Sequence, residues 1–357
     1  MPDGRMNREP GHGISYPLNQ TYVLMKKGLK YLAYLLALVI VALVFLIGYV
    51  SVILPNIAPA PDITVEPTAE RIERGKYLAN HVMLCMDCHA ERDFSTFAGP
   101  PKAGTHGAGG DVFDENMGFP GRFVSRNLTP AALGEWSDGE IFRAITTGVS
   151  RDGSSLFPVM PYTQYSKVAE EDIYSVIAYL RTLEPVERAN EVSVANFPVN
   201  LLINTMPVKA NNQPIPSKED PVAYGRYLVT AAACIECHVK REHGAVVGEP
   251  FAGGSEFMMP GGSVVRSANI TPHETGIGNM TKEQFVMRFK VYADSSYVPH
   301  RVLPGDFQTI MPWLMYAGMT TGDLEAMYDY LRTIEPVDNR VEIFTAARGE
   351  YRILNKG

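Results

Sequence analysis

Cys85-Met86-Asp87-Cys88-His89 and Cys234-Ile235-Glu236-Cys237-His238 are the two stretches that decide the fold of this chain. Each has the form C-x-x-C-H, the attachment pattern for c-type haem. The spacing has a physical reason. Two thiols one helical turn apart can each form a thioether to one vinyl group of a single porphyrin, and the histidine that follows then lies beneath the iron as proximal ligand. The two motifs use all four cysteines of the 357-residue chain. A four-cysteine zinc site sets its pairs about 15–20 residues apart, whereas 149 positions separate Cys85 from Cys234. A thioredoxin-like dithiol expects a βαβ surround, and two exported disulfides would leave both histidines unexplained. The expectation is two covalently bound haem c groups, held by Cys85, Cys88, Cys234 and Cys237, with His89 and His238 as iron ligands.

The surroundings of the motifs repeat at a period near 150 residues, the signature of a tandem. Arg74-Gly75-Lys76-Tyr77-Leu78 matches Tyr224-Gly225-Arg226-Tyr227-Leu228, and Phe97-Ala98-Gly99 matches Phe251-Ala252-Gly253. Asn127-Leu128-Thr129-Pro130 matches Asn269-Ile270-Thr271-Pro272. Met160-Pro161-Tyr162 matches Met311-Pro312-Trp313, and Tyr179-Leu180-Arg181-Thr182 matches Tyr330-Leu331-Arg332-Thr333. Each unit reads as helices joined by long loops. The first helix starts near Thr68 in one unit and at Asp220-Pro221 in the other. A middle helix opens with the capping boxes Ser137-x-x-Glu140 and Thr281-x-x-Gln284. A last helix covers roughly 169–183 and 321–334, apolar at helical spacing through Ile173, Val176, Ile177 and Leu180. Gly75 and Gly225 could let the first and last helices cross closely, or be ordinary packing glycines.

The sixth ligand of each iron sets its chemistry, since methionine opposite histidine raises the potential and closes the metal to substrates. Of 16 methionines the repeat selects Met160, 71 residues after His89, and Met311, 73 after His238, each before a proline that stiffens its loop. His81, His106, His243, His273 and His300 have no partner in the other unit, His81 sits one turn before Cys85 as a helix-surface residue, and His12 falls on the wrong side of the membrane. A loop carbonyl near Gly99 and Gly253 could orient each proximal imidazole. Asn127, Thr129, Asn269 and Thr271 either bind propionates or form turns. Trp136, Tyr162, Tyr165, Trp313 and Tyr316 either pack on porphyrin or fill the core.

Tyr31 to Leu54 is a run of 24 uncharged residues, about 36 Å as a helix and long enough to span a bilayer. It is far longer than a signal-peptide core, and Pro61 after Ala58-Pro59-Ala60 would block cleavage, so an uncleaved anchor is expected. The basic residues Arg5, Arg8, Lys26, Lys27 and Lys30 precede it, which puts the N-terminus in the cytoplasm and the haem domains outside a bacterial inner membrane. Residues 31–60 carry no charge and residues 1–30 hold five basic and two acidic side chains, so residues 61–357 hold 27 of the 32 basic and 37 of the 39 acidic side chains. That acidic balance suits basic docking partners or plain solubility, and it excludes the basic footprint of a nucleic-acid binder.

The expected organisation is a cytoplasmic segment 1–30, a transmembrane anchor 31–54 and a Pro-rich spacer 55–67, then a first haem unit 68–185, a linker 186–219, a second haem unit 220–337 and a tail 338–357. The class is mainly α, behind one N-terminal transmembrane helix.

SANITPHETGIGNMTKEQF at 267–285 with MPW at 311–313, and DGSSLFPVMPYTQYS at 152–166 with EEDIYSVIAYL at 170–180, resemble the cytochrome c subunits of membrane-bound alcohol and gluconate dehydrogenases. The similarity covers most of 68–335. It implies tandem class I cytochrome c domains and carries His89, His238, Met160 and Met311 over as axial ligands. The chain departs from that family in having two motifs rather than three, an N-terminal span, and Met280 where a tryptophan is usual; Trp136 keeps that position in the first unit. The expected function is a membrane-anchored electron carrier, not an enzyme in itself, between a quinol-oxidising complex or dehydrogenase and a terminal cytochrome oxidase. Two alternatives are a dihaem peroxidase-type enzyme, which the paired Met-Pro motifs disfavour, and a fixed electron wire within a dehydrogenase or respiratory supercomplex.

Overall fold

The computed structural model describes residues 18–242 and 244–347. The chain divides into two compact units, Met1–Ile53 and Leu54–Gly357. His12, His243 and the tail from residue 348 fall outside the described residues.

In the first unit a helix runs over Leu18–Gly48 and continues as a π-turn over Tyr49–Ile53. Within Tyr22–Ile53 an 18-residue stretch has a mean hydropathy of 3.0 and none of that stretch is buried. A helix apolar on every side has no polar face to turn to water, and this one is long and apolar enough to cross a membrane. It starts earlier than the uncharged run does, so Lys26, Lys27 and Lys30 belong to the same helix. Lys26 lies over the Tyr22 ring and Lys30 over Tyr34.

The second unit is built twice over the same plan. Ala69–Tyr77, extended by the π-turn Leu78–Val82, crosses the last helix Glu170–Leu180; Pro221–Ala231 crosses Thr321–Leu331. Thr68 and Asp220 cap the first helices with their side chains, and both capping boxes close at Ser137 and Thr281. The crossing requires glycine. A Cβ on Gly75 would lie 1.8 Å from the carbonyl oxygen of Ser175, and one on Gly225 1.8 Å from that of Ala326.

Among the described residues, three short antiparallel sheets accompany the helices. One orders Val112–Phe113, Gly121–Val124 and Val194–Ala195; another orders Glu256–Met258, Val264–Arg266 and Phe344–Thr345. These two sheets correspond, so the repeat runs on past Glu184-Pro185-Val186 in one half and Glu335-Pro336-Val337 in the other. Segment 338–345 of the tail is therefore the counterpart of the stretch that closes the first half. The third pairs Arg241–Glu242 with Ala245–Val246.

The segments expected as spacer and linker are packed rather than free. The Val65 backbone N–H donates to Asp138 Oδ2 at 2.8 Å, and a Cβ on Gly139 would strike the Pro61 carbonyl. Val208, Asn211 and Gln213 donate backbone N–H groups to the carbonyls of Thr147, Ser166 and Lys167.

One buried apolar cluster runs through both halves, from Leu78, Val82, Ile173, Val176 and Ile177 to Leu228, Phe285, Leu324 and Leu331. Along the seam the halves exchange tyrosines. Tyr77 donates its hydroxyl to Asp323 Oδ2 at 2.6 Å, and Tyr227 donates its hydroxyl to Asp172 Oδ2 at 2.6 Å. The same hydroxyls accept from the backbone N–H of Thr320 (3.1 Å) and of Ala169 (3.3 Å). Tyr77 and Tyr227 are repeat equivalents, as are Asp323 and Asp172, so the contact is reciprocal.

Candidate functional site

Each C-x-x-C-H stretch sits in the same local frame. A residue in the left-handed conformation, Leu84 at φ 57° or Ala233 at φ 51°, turns the chain out of the first helix. A single helical turn follows, Cys85–Cys88 or Cys234–Cys237. Neither residue is a glycine, so both turns are held in an uncommon backbone state by their surroundings, as functional turns often are. All four thiols are unpaired. Burial pushes those of Cys85 and Cys234 up to about 12, so both stay protonated until they react. Among the described residues no three Cys, His, Asp or Glu side chains gather as a metal-binding cluster, so the two motifs do not pool into one zinc site.

The histidines are fixed by their hydrogen bonds. His89 Nδ1 is 2.7 Å from the carbonyl oxygen of Arg126, and His238 Nδ1 is 2.7 Å from that of Ala268. A carbonyl can only accept, so Nδ1 carries the proton and Nε2 presents its lone pair. Burial also lowers both imidazoles below the usual histidine value, which favours the neutral form that a metal needs. Two thiols one turn apart and one oriented neutral imidazole are the donor set that haem c attachment demands, and the set occurs twice.

The orienting carbonyl of the second half does lie against Gly253, but that of the first lies against Gly109 and not Gly99. Both belong to the residues just before Asn127 and Asn269. The structural partner of Gly253 is Gly109: their backbone N–H groups donate to the carbonyls of His238 (3.1 Å) and His89 (3.0 Å). A Cβ on Gly109 would press on the Arg126 carbonyl, and one on Gly253 on the Ala268 carbonyl. Phe97-Ala98-Gly99 is thus no counterpart of Phe251-Ala252-Gly253.

Asn127 and Thr129 form a buried turn. Asn127 Oδ1 accepts from the Thr129 backbone and hydroxyl, while its Nδ2 donates to the Val186 carbonyl. Asn269 and Thr271 repeat this with Val337. The turn takes up these polar groups and, through them, holds the orienting carbonyl in place.

Met160 and Met311 are half-buried against the same core cluster that Cys85 and Cys234 touch. Each is followed by a single-turn helix, Tyr162–Tyr165 or Trp313–Tyr316. Tyr165 donates its hydroxyl to the Met83 carbonyl at 2.6 Å and Tyr316 to that of Ala232 at 3.0 Å, tying each methionine loop to its own attachment turn. His81 is not a free surface residue: its Nδ1 lies 2.9 Å from the Met315 carbonyl across the seam. His300 stacks on Phe97 at 5.0 Å, and His273 Nδ1 bonds the Thr275 hydroxyl.

Sequence reasoning missed the buried pair beside the first motif. Arg92 and Asp87 are 3.4 Å apart and both nearly inaccessible, and Arg92 also donates to the carbonyls of Ala98 and Gly99. No periodicity marks an arginine as buried.

No family model matches the chain. Over 77% of its length it is 24% identical to the "Alcohol dehydrogenase (quinone), cytochrome c subunit" of Gluconacetobacter polyoxogenes, covering 58% of that protein. Over 48% of its length it is 32% identical to the "Gluconate 2-dehydrogenase cytochrome c subunit" of Pantoea cypripedii, covering 38% of it. Over 44% it is 31% identical to a "Diheme cytochrome c-type" of Cereibacter sphaeroides, covering 53% of it. The chain spans 58% of the first of these relatives and no more than 53% of the other two. With two equivalent C-x-x-C-H turns, the chain is similar to cytochrome c subunits of dehydrogenases and to a dihaem cytochrome c, which supports covalently bound haem c and a part in electron transport.

Proposed function

We propose that residues 68–185 and 220–337 are tandem class I cytochrome c domains, in which His89 with Met160 and His238 with Met311 are the axial ligands. What carries this reading is the paired geometry: two imidazoles with Nδ1 tied back at 2.7 Å and Nε2 left free, each in a half whose Met-Pro loop occupies the equivalent place. Bound haem supplies the one-electron iron couple. The protein holds the neutral imidazole, offers the thioether and closes the core around them. Met160→Ala and Met311→Ala are each expected to lower one haem's potential and open its iron to carbon monoxide. Redox titrations unchanged in both variants would overturn the ligand assignment.

The apolar helix is read as an uncleaved anchor with its basic end in the cytoplasm and the haem halves outside. The partner best supported is a membrane dehydrogenase, since two of the relatives named above are cytochrome c subunits of dehydrogenases and this chain carries an apolar helix long enough to span a bilayer. Onward transfer to a terminal oxidase, or supply from a quinol-oxidising complex, extends the same role. The anchor would confine the carrier to two dimensions and raise its effective concentration near such partners. Purification in mild detergent tests this: a dehydrogenase recovered in fixed ratio supports it, and a solitary dihaem protein refutes a stoichiometric complex.

A further inference from the structure

The Met-Pro loop of each half is tied to the haem-attachment segment of the other. In the second half, Gln308 is buried at 3% exposure and its amide is used completely. Nε2 donates to the carbonyls of Phe94 and Thr96, both at 2.9 Å. Oε1 accepts from the backbone N–H of Ala98 at 2.9 Å and of Thr309 at 2.8 Å. The Thr309 hydroxyl then accepts from the Met311 backbone N–H at 3.0 Å. The loop that Gln308 grips belongs to the first half and is held by Arg92, which pairs with Asp87 inside the first C-x-x-C-H. Phe97 of that loop stacks on His300 and lies 5.9 Å from the Tyr292 ring, which in turn lies 5.8 Å from Trp313.

The converse tie runs the other way. Gln164, four residues after Met160, donates Nε2 to Glu236 Oε1 at 2.7 Å, and the Thr163 hydroxyl lies 3.2 Å from the same oxygen. Glu236 stands inside the second C-x-x-C-H, at the position Asp87 holds in the first, and Arg241 bonds its other oxygen at 2.8 Å.

We propose that Gln308 and Gln164 are positioning residues through which the attachment segment of each half fixes the sixth-ligand loop of the other. This rests on the methionine ligation proposed above. It makes the two haem sites mutually dependent: each iron keeps its thioether because the opposite half is built. The physical reason is that a thioether is a weak, flexible donor on a loop, so its hold on iron depends on how firmly the loop is set.

The test uses the full-length, haem-loaded protein and reads the sulfur-to-iron absorbance band of the oxidised form and carbon monoxide binding by the reduced form. Gln308→Ala is expected to remove about half of the band and open one haem per molecule, and so is Gln164→Ala. Combined with Met311→Ala, Gln308→Ala removes no more than Met311→Ala alone; combined with Met160→Ala it abolishes the band, as non-additivity at a shared site requires. The crossing is read from Glu236→Ala, a change in the second half. It adds nothing to Met160→Ala and abolishes the band with Met311→Ala. Gln308→Glu, which keeps shape and one acceptor, replaces the alanine variant if that variant does not accumulate, and half-buried Gln164 gives an independent arm. If Met160→Ala and Met311→Ala each halve the band while the glutamine variants leave it and the carbon monoxide binding intact, the positioning role is overturned. If the methionine variants leave the band whole, the ligand assignment fails, and this proposal with it.

Discussion

His89 and His238 are set by main-chain carbonyls rather than by side chains, and this explains why their orienting partners could not be read off the sequence. A carbonyl is available at every residue, so what matters is the turn that aims it. Asn127-x-Thr129 and Asn269-x-Thr271 supply that turn by exhausting their own polar groups in it. The C-x-x-C-H spacing marks the cysteines and histidines in the sequence, whereas nothing marks the acceptors at Arg126 and Ala268. A second residue invisible to motif reading is Asp111. Burial, with Asp87 and Glu91 nearby, raises its carboxyl to about 7 against the pull of Arg92. The native state thus holds the neutral acid more readily than the unfolded chain does. Stability from this group is present in full below the ordinary carboxylate range and is lost as pH rises through about 7. Asp111→Asn should therefore melt higher than the parent at pH 8 and no differently at pH 3.5. Thermal melts at the two pH values check this, and an equal gap at both would show that charge is not the cause.

The element scale divides between helices that carry their own instructions and loops that do not. Capping boxes at Ser137 and Thr281, and a Thr or Asp before each first helix, were visible because their hydrogen bonds are local. The crossing of first and last helices was visible in Gly75 and Gly225. Gly75→Ala or Gly225→Ala puts a methyl carbon 1.8 Å from a carbonyl oxygen on an immovable partner helix. Each should cost about 3 kcal/mol or more in denaturant unfolding, above the ordinary range for overpacking. A loss under 1 kcal/mol would mean that the helices can part. The loops misled for a countable reason. From His89 to Gly109 is 20 residues, and from His238 to Gly253 is 15. The second half recovers the difference later, before Met311, so the spacings of 71 and 73 conceal a shifted register. The extra segments of the two halves then meet: Thr96 bridges Arg301, and the Phe97 backbone N–H donates to the His300 carbonyl at 2.9 Å.

For the molecule beyond the N-terminal apolar helix, repetition in sequence suggests two domains on a string, but the buried surface forms one body. The apolar cluster is continuous across the halves, and the tyrosine exchange buries a carboxylate of each half under a hydroxyl of the other. The two exchanges are not energetically equal. Asp172 also receives two bonds from Arg74, at 2.9 and 2.8 Å, whereas Asp323 has only Tyr224 at 3.3 Å and exposed Lys218 at 4.0 Å. Tyr77→Phe strips the better donor from a nearly unpaired buried carboxylate and should cost about 2 kcal/mol; Tyr227→Phe, whose partner keeps its arginine, about 1 kcal/mol. Because both changes act on the shared seam, each should destabilise the two halves together. Unfolding of the haem-loaded protein, followed by helix content and by the absorbance of both haems, is expected to trace a single transition that shifts as a unit in either variant. Two separated transitions, with only one moved by Tyr77→Phe, would mean that the halves are independent domains that merely touch.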